Sequence, residues 1–286
     1  MILAIDLVTK YLPYVDELFT SESKHSLFTN RNFAWDGAHA IKVYSVSSVK
    51  MNDYGRSGPA TGQWSRYGVV EDLDATTQTM TLRKDRSFTF VIDRLDEEET
   101  QGQVAAASAL ARQLREVVVP EVDAWVISEM AANAGHKPEA AALTAENIYG
   151  EIIKASNALD NSEAPETGRV LLVTPDVYML LKQSPDVMMD TDVANNMRLH
   201  GVIAMVDGMP VIRVPAARVP EAFGFMVAHS AATVAVEKLA AYVVHSDPPG
   251  ISGSLVEGRV AFDAFVLPNK AGAIYLHTLP EQEEEP

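Results

Sequence analysis

The stretch from Asp96 to Ala134 constrains the fold of this chain most, because it has the pattern of one very long amphipathic helix. Its apolar residues recur three or four positions apart, which places them on one helix face. Those residues are Val104, Ala107, Ala111, Leu114, Val118, Val122 and Trp125. Asp96 followed by Glu99 forms a capping box, and Asn133 with Gly135 supplies an end signal.

A helix of this length needs a long surface to lie against. At 1.5 Å of rise per residue it would extend about 55 Å, whereas helices in globular domains average about a dozen residues. Pro120 is expected to kink or divide it, since proline lacks an amide hydrogen and crowds the preceding turn. We interpret the segment as a strut with a β-hairpin before it and an α/β lobe after it.

An alternating pattern predicts a long β-hairpin before this helix. Residues 38–49 and 77–92 are rich in β-branched and aromatic residues and alternate in polarity, as strands do. The intervening segment is rich in glycine, which predicts a long loop. Two strands have too little core to be stable alone in water. The ribbon therefore either folds back on its own domain or contacts another chain.

Arginines and aromatic residues at the hairpin tip, and apolar residues in the N-terminal arm, are candidate subunit contacts. This composition is typical of protein interfaces. Aromatic residues with arginine can also stack single-stranded nucleic acid, but the acidic chain favours subunit contact. The arm has more apolar residues than a disordered tail, so we expect it to dock, with a neighbouring subunit as one possible surface. The candidates are Phe28, Phe33, Trp35, Lys50, Tyr54, Arg56, Trp64, Arg66 and Tyr67.

The second half of the chain predicts alternating helices and strands. Thr144 is expected to begin a helix that extends to about Leu159, and Thr174 with Pro175 to begin another. Residues 184–198 are expected to form a loop, and Asp207–Gly208 a hairpin turn. Strands are expected at 169–173, 202–206, 210–214, 223–228, 233–236, 239–244, 259–267 and 273–279.

Composition and motifs exclude several classes of function. The 286 residues include no cysteine, which removes disulfides, thiolate metal sites and cysteine nucleophiles. The net charge of −16 argues against tight binding along a phosphate backbone. The seven histidines are scattered, and the sequence has no phosphate-binding loop, dinucleotide fingerprint or nucleophile elbow. We expect no catalytic, cofactor or metal site, and no run approaches the roughly 18 apolar residues of a membrane span.

The order of these parts resembles the major capsid proteins of tailed bacteriophages, which have the Hong Kong 97-type shell fold. The resemblance covers nearly the whole chain and is carried by WDGAHAIKVYSVS, RSFTFVIDRLDEEET, VVVPEVDAWVISEMA and GRVAFDAFVLPNKAGAIYLH. It implies an α+β fold with an N-terminal arm, an extended hairpin loop, a spine helix with peripheral strands, and an α/β axial domain. The implied segments are the arm at 1–37, the extended loop and start of the peripheral domain at 38–92, the peripheral domain with the spine helix at 93–142, the axial domain at 143–256, the return strands of the peripheral domain at 257–280, and an acidic tail at 281–286.

The resemblance implies a structural protein, not an enzyme. Copies of the chain would assemble as pentamers and hexamers into the icosahedral head of a virion, enclosing double-stranded DNA without sequence-specific binding. The hairpin would lie over a neighbouring subunit, and the arm would reach an adjacent one. Assembly would take place in the host cytoplasm, with a portal and decoration proteins as further partners. Because the chain has no room for a fused scaffolding segment, we expect a separate scaffolding protein or none.

Two other interpretations remain open. Encapsulin shells, which hold cargo enzymes, share this fold but typically begin with a helix in place of the extended arm. The second interpretation is a soluble α+β enzyme or binding protein whose site is assembled from scattered residues. Lys50 and Asn269 are the residue types of the lysine–asparagine cross-link that some family members form, although the sequence identifies no acid to promote that reaction.

Overall fold

The computed structural model describes residues 23–30, 40–46, 49–59, 61–62, 64–70, 72, 75–95, 106–184 and 202–280. The chain divides into two compact units. The smaller unit is Asp36–Leu82 and includes the hairpin, and the larger unit combines Met1–Trp35 with Arg83–Pro286.

The described residues form strands in three sheets, and α-helices that belong to the larger unit. The strands are β1 (Ala40–Val46), β2 (Ala75–Thr81), β3 (Lys84–Asp93), β4 (Arg169–Val173), β5 (Val202–Val206), β6 (Met209–Arg213), β7 (Phe223–His229), β8 (Thr233–Ser246), β9 (Gly253–Val266) and β10 (Ile274–Thr278). The helices are α1 (Ala106–Gln113), α2 (Val119–Ala132), α3 (Ile148–Asn161) and α4 (Pro175–Gln183). A π-helical turn, Leu114–Val118, joins α1 to α2.

The smaller unit contains the predicted antiparallel ribbon. Strands β1 and β2 pair from Ala40 opposite Thr81 to Val46 opposite Ala75. The predicted second strand, 77–92, is instead two strands in different sheets, because β2 pairs with β1 while β3 pairs with β9. The prediction of one continuous strand was therefore wrong. Its alternation in polarity runs through the break at Leu82 and Arg83 and does not reveal it.

The long helix is confirmed from Ala106 to Ala132, while residues 96–105 with the predicted capping box lie outside the described residues. Pro120 divides it as expected. Proline has no amide hydrogen for the carbonyl four residues earlier, and the turn before it is widened. In this turn the Val119 amide donates to the Leu114 carbonyl, five residues back.

A three-stranded antiparallel sheet, ordered β3-β9-β8, provides the long surface that the helix requires. The predicted apolar stripe of the helix is buried in one core with the central strand β9. That core includes Leu114, Val118, Val122 and Val126 from the helix and Val256, Val260, Phe262 and Ala264 from β9. Strand β8 is continuous where two short strands were predicted. A register shift between Leu239 and Ala241 interrupts its alternation, as a β-bulge does.

The lobe is a five-stranded sheet ordered β10-β7-β4-β6-β5, in which only β4 and β6 are parallel. Helices α3 and α4 pack against it in a second core. Thr174 caps α4 as predicted, accepting from the Val177 amide at 3.4 Å. The turn between β5 and β6 has positive φ at both Asp207 and Gly208, as the predicted hairpin turn requires.

Strand β10 lies in a different sheet from the one the sequence suggested. We expected residues 257–280 to return together as strands beside the long helix; β9 pairs with β3 and β8, whereas β10 pairs with β7 at the edge of the lobe sheet. Four consecutive residues, Ile274 to His277, are buried, so both faces of this strand need cover. Consecutive burial of this kind is typical of a sheet that is covered on both faces, and it differs from the alternating burial of β9.

A side chain at Gly258 in β9 is predicted to displace the ring of Phe88. Gly258 lies opposite Phe88 of β3 and Tyr242 of β8, and an added Cβ would stand 2.3 Å from Cζ of Phe88. Gly258→Ala should therefore destabilise the unassembled subunit by about 1–3 kcal/mol, measured by urea denaturation. The control is Gly150→Ala on the exposed side of α3, where nothing lies within 4 Å and alanine should stabilise the helix. Equal midpoints for the two variants would contradict this packing.

His277 in β10 should make the lobe sensitive to acid. Neither ring nitrogen has a hydrogen-bond partner among the described residues, and the ring stacks on Phe225 with centroids 4.9 Å apart. Burial lowers the pKa of His277, and the charge of Lys154 lowers it further, while Glu151 opposes them. The unfolded chain, with a histidine pKa of ~6.5, therefore binds the proton more readily. Stability should be complete above that pH and fall below it.

The measurement is urea denaturation between pH 7.5 and pH 5 for the parent and for His277→Phe. The substitution should reduce the loss of stability on acidification, because it removes one group that protonates on unfolding. His245→Phe, at an exposed position in β8, is the control. If the unfolding free energies of His277→Phe and His245→Phe both fall with pH as steeply as that of the parent, His277 is not the cause of the acid sensitivity.

Candidate functional site

The tip of the hairpin is ordered by its own backbone. The Gly55 amide donates to the Arg66 carbonyl at 2.9 Å, and the Gly58 amide donates to the Gly55 carbonyl at 3.2 Å. The rings of Tyr54 and Tyr67 meet edge to face with centroids 5.1 Å apart. These contacts bring together the two sides of the loop and fix the positions of three predicted contact residues, Tyr54, Arg66 and Tyr67.

The same loop exposes large apolar side chains. The exposed fraction is 99% for Met51, 84% for Trp64 and 77% for Tyr67. Single exposed apolar residues are ordinary, but a cluster of them beside cations is typical of a surface that binds a partner. We name this cluster the tip surface; it consists of Lys50, Met51, Tyr54, Arg56, Trp64, Arg66, Tyr67, Val69 and Val70.

The remaining predicted contact residues do not belong to the tip surface. Phe28 is fully buried in the core of the larger unit, together with residues of the long helix and of β9. The prediction that Phe28 contacts another subunit is corrected, because its own chain already covers the ring. Phe33 and Trp35 lie outside the described residues. Asn269 lies in the 3₁₀ turn Pro268–Ala273, in the larger unit.

The chain enters the larger unit after the hairpin at Arg83, which is bound to a buried carboxylate of β9. Asp263, with an exposed fraction of 1%, accepts from the Arg83 amide and from Nε and Nη2 of its guanidinium, each at 2.9 Å. Trp125 of α2 donates its indole N–H to the same carboxylate at 2.9 Å. Glu129 of α2 also pairs with Arg83 at 2.9 Å. These contacts end the ribbon, and we name them the Arg83 anchor.

Electrostatics keep the Arg83 anchor charged. Burial acts to raise the pKa of Asp263, but hydrogen bonds from Arg83 and Trp125 outweigh it and hold the pKa below its usual value. Hydrogen bonds to Asp263 and Glu129 raise the pKa of Arg83. The guanidinium also lies over the Trp125 ring, 5.4 Å from its centroid.

Before the hairpin, residues 23–30 lie on the larger unit, and we name this segment the strap. The Asn30 amide donates to the Thr233 carbonyl at 2.8 Å, and Asn30 forms an isolated bridge with Val234 of β8. The expected docking surface of the arm is therefore, for these residues, its own subunit. Asp123 of α2, which is fully buried, accepts several hydrogen bonds from the strap.

Neither buried carboxylate, Asp123 or Asp263, is predicted by the sequence pattern. The signal was present, since Asp123 interrupts the apolar run VVVPEVDAWVI and Asp263 interrupts VAFDAFV. A charge inside an apolar run is rarely buried without a partner. The identity of the partners, Arg83 and the strap, is a tertiary fact that spacing does not give.

Other kinds of site find little support in the described ranges. No group of three or more histidine or carboxylate side chains there is arranged to hold a metal ion. A cavity of about 660 Å³ lies beside Arg169 in the lobe. The guanidinium of Arg169 is already occupied by Asp160 at 2.7 Å and by the Ala164 carbonyl at 2.6 Å. Nor does any helix in the part of the chain that the structure describes have the length and apolar character to span a membrane.

Comparison with solved structures places this architecture among phage capsids. A structure from Mycobacterium phage Che8 matches with a TM-score of 0.69 and 16% identity over 89% of this chain and 90% of that chain. The mature capsid of bacteriophage PhiM1 matches with a TM-score of 0.61 and 15% identity over 93% and 87%. A virus-like particle from Pyrococcus furiosus matches with a TM-score of 0.56 and 11% identity over 97% and 100%. At such low identity these likenesses show the fold alone.

Comparison of the sequence gives the family. No curated protein matches the sequence. A family model described as phage capsid protein matches residues 59–276, which is well over half of the chain. Together with the structural matches, this confirms the Hong Kong 97-type shell fold expected from the order of elements. The chain belongs to the phage capsid protein family and is a structural protein of the capsid shell.

Proposed function

We propose that copies of this chain assemble, as pentamers and hexamers, into an icosahedral head that encloses double-stranded DNA. The observation that carries the proposal is the tip surface, which presents apolar side chains that an isolated subunit leaves in water. Burying one such side chain contributes about 1.5–3 kcal/mol. Because the contact is repeated at every subunit of a shell, these residues would contribute substantially to the free energy of assembly.

The tip surface is proposed to lie over a neighbouring subunit. Lys50, Arg56 and Arg66 make it locally basic, whereas the chain carries a net charge of −16. The acidic body of one copy therefore attracts the basic tip of another, whereas two acidic bodies repel each other. This favours contact between tip and body over contact between bodies. The tip and its recipient are different surfaces, and heterologous contacts of this kind close into rings or shells.

The remaining parts are assigned roles by their place in the fold. The segment 143–256, which contains every strand of the lobe sheet except β10, is proposed to meet its copies around the five-fold and six-fold axes. Within the arm at 1–37, the residues outside the strap are proposed to reach an adjacent subunit. An acidic inner wall would keep packaged DNA from adhering, since repulsion between like charges acts over roughly 10 Å at ordinary salt. The shell would enclose the DNA without reading its sequence.

The chain is further proposed to catalyse no reaction and to need no cofactor. Assembly in the host cytoplasm would involve a portal, with a separate scaffolding protein and decoration proteins as additional partners. These partners follow from the capsid role of the family and not from a surface described above.

Electron microscopy and native mass measurement of the purified chain test the proposal. Shells, rings or hexameric plates are the expected result, whereas a stable monomer or small discrete oligomer across a wide concentration range would contradict it. The contents of particles from the natural source separate the two kinds of shell. DNA-filled particles support the phage head, and protein-filled particles support a cargo compartment of the encapsulin kind.

A further inference from the structure

We propose that the ion cluster around Asp123 is a latch that holds the strap on helix α2 and releases it, without unfolding the subunit, when the charge of His25 is removed. In the chain the strap precedes the hairpin. The inference goes beyond the capsid role, and its test uses the unassembled full-length chain.

Asp123 is the centre of the latch. Its carboxylate has no exposed surface and accepts from the backbone amides of Lys24 at 3.3 Å and His25 at 3.1 Å. It also accepts from the Ser23 hydroxyl at 3.3 Å and from the Arg218 guanidinium at 2.9 Å. A buried carboxylate with this many donors is stable only while they remain in place. Most of these donors belong to the strap.

His25 is held between two carboxylates. Its Nδ1 lies 2.8 Å from Oδ1 of Asp123, and its Nε2 contacts Glu237 of β8. Carboxylates beside both ring nitrogens favour the protonated imidazolium, and the Ser23 hydroxyl also contacts Nδ1. Burial acts to lower the pKa of His25, but the hydrogen bonds to Asp123 and Glu237 outweigh it and raise the pKa to about 9. The strap therefore carries a buried cation at neutral pH.

The other charged groups around the latch are accounted for by their elements. Arg218 lies in the 3₁₀ turn Ala216–Arg218 and pairs with Asp123 at 2.9 Å. Lys24 turns away from the cluster and donates to the Arg213 carbonyl at 2.6 Å. Burial, followed by the charge of Arg218, lowers the pKa of Lys24. Within this set His25 is the group that contacts both Asp123 and Glu237.

Outside the ion cluster, the strap is held mainly by the fully buried ring of Phe28. Phe28 fills part of the core, the Thr29 hydroxyl donates to the His25 carbonyl at 2.8 Å, and Asn30 bridges to β8. Once His25 is neutral, its contact with one of the two carboxylates becomes unfavourable. Asp123 then keeps only its other hydrogen-bond donors. Local opening of such a short segment requires breaking far fewer contacts than global unfolding. Release of the strap alone is therefore the expected response.

The pH dependence has a definite sign. The folded pKa of His25 lies above the unfolded value of ~6.5, so its contribution is complete below that value and is lost as pH rises through about 9. Burial acts to raise the pKa of Asp123, but its hydrogen bonds to His25 outweigh it and lower the pKa. Its contribution is present above its unfolded pKa of ~3.9 and is lost in acid. The latch is closed at neutral pH and opens on either side.

The chain offers a clean test because it has no cysteine. Thr29→Cys places one thiol in the strap at a position 6% exposed, and Val173→Cys places one in the fully buried strand β4 as the reporter of global unfolding. Thiol labelling with a disulfide reagent is followed in each background, with and without His25→Gln. His245→Gln, which alters an exposed histidine–glutamate pair, is the matched control.

His25→Gln should accelerate labelling at position 29 on the order of 100-fold, the scale of a broken buried ion pair, and leave labelling at position 173 nearly unchanged. With His25 present, labelling at pH 10 should exceed that at pH 8 by about tenfold, after normalisation to a peptide of residues 23–30 carrying the same cysteine. In the His25→Gln background, this normalised rate should not depend on pH.

Two results overturn the latch. Equal labelling rates at position 29 with and without His25→Gln would show that the charge does not hold the strap. Equal acceleration at positions 29 and 173 would show that the cluster contributes only to global stability. If His25→Gln does not fold, Glu237→Gln removes one of the two carboxylate partners and is subject to the same comparison.

Discussion

Deleting Lys50–Gly68 is expected to leave a folded subunit that no longer closes into shells. The remaining residues 47–49 and 69–74 still connect Val46 to Ala75, which are paired neighbours at the end of the ribbon. A loop of that length closes a hairpin readily. The cores of the larger unit contain no residue of the deleted segment, so their packing should persist. What is lost is most of the tip surface.

The measurement is particle yield by electron microscopy and sedimentation, with circular dichroism and urea denaturation to confirm folding. A finer variant, Trp64→Ser with Tyr67→Ser, removes about 3–6 kcal/mol of apolar burial per contact and should lower particle yield steeply. Its control, Trp64→Phe with Tyr67→Phe, keeps the apolar surface and should assemble. Normal particles from the deletion would show that the hairpin is not an inter-subunit clamp.

Asp263→Leu is expected to destabilise the larger unit by about 3 kcal/mol, the low end of the range for a broken buried ion pair. The low end applies because the Arg83 side chain is half exposed and water can replace part of the carboxylate. The Trp125 indole and the Arg83 amide lose their acceptor as well.

Urea denaturation of the unassembled subunit measures this loss. Asp85→Leu breaks an ion pair with Arg259 in the same sheet, but both of those side chains are more than half exposed. That control should cost less than about 1 kcal/mol. A double-mutant cycle with Arg83→Leu isolates the pair itself. Equal losses for Asp263→Leu and Asp85→Leu would mean that the Arg83 anchor behaves as an ordinary surface ion pair.

Local signals predicted much of the fold. The apolar stripe of the long helix, the Thr174–Pro175 start of α4 and the Asp207–Gly208 turn all depend on neighbours within a few residues, and each is confirmed. Strand β4 has the predicted bounds because its five residues are all buried, which leaves no alternation to misread. In these places propensity and burial favour the same structure.

Contacts between distant residues account for what the sequence did not predict. The break between β2 and β3 depends on Asp263, which is 180 residues beyond Arg83. Burial of Phe28 depends on a strap held by Asp123, nearly one hundred residues later in the chain. The assignment of β10 to the lobe sheet depends on its partner β7. Periodicity reports which face of a segment is buried, but it does not name the segment that covers it.

For the candidate site, composition identified the tip surface but not how the hairpin is attached. The aromatic and basic residues of the tip stand out in the sequence because a simple turn consists mainly of Gly, Pro, Asn, Asp and Ser. The latch and the Arg83 anchor each consist of one buried carboxylate and partners from another segment. Nothing in their local sequence distinguishes these partners from surface charges.

Helix α2 binds the two segments of the larger unit that flank the hairpin in the chain, since Asp123 binds the strap and Trp125 and Glu129 bind Arg83 and its carboxylate. Each helical residue turns the chain by about 100°. Inserting or removing one residue before Asp123 would point all three side chains away from their partners at once. Natural length variation should therefore be absent from Val119–Ala132 and concentrated in the tip loop, where extra residues disturb no partner of this helix.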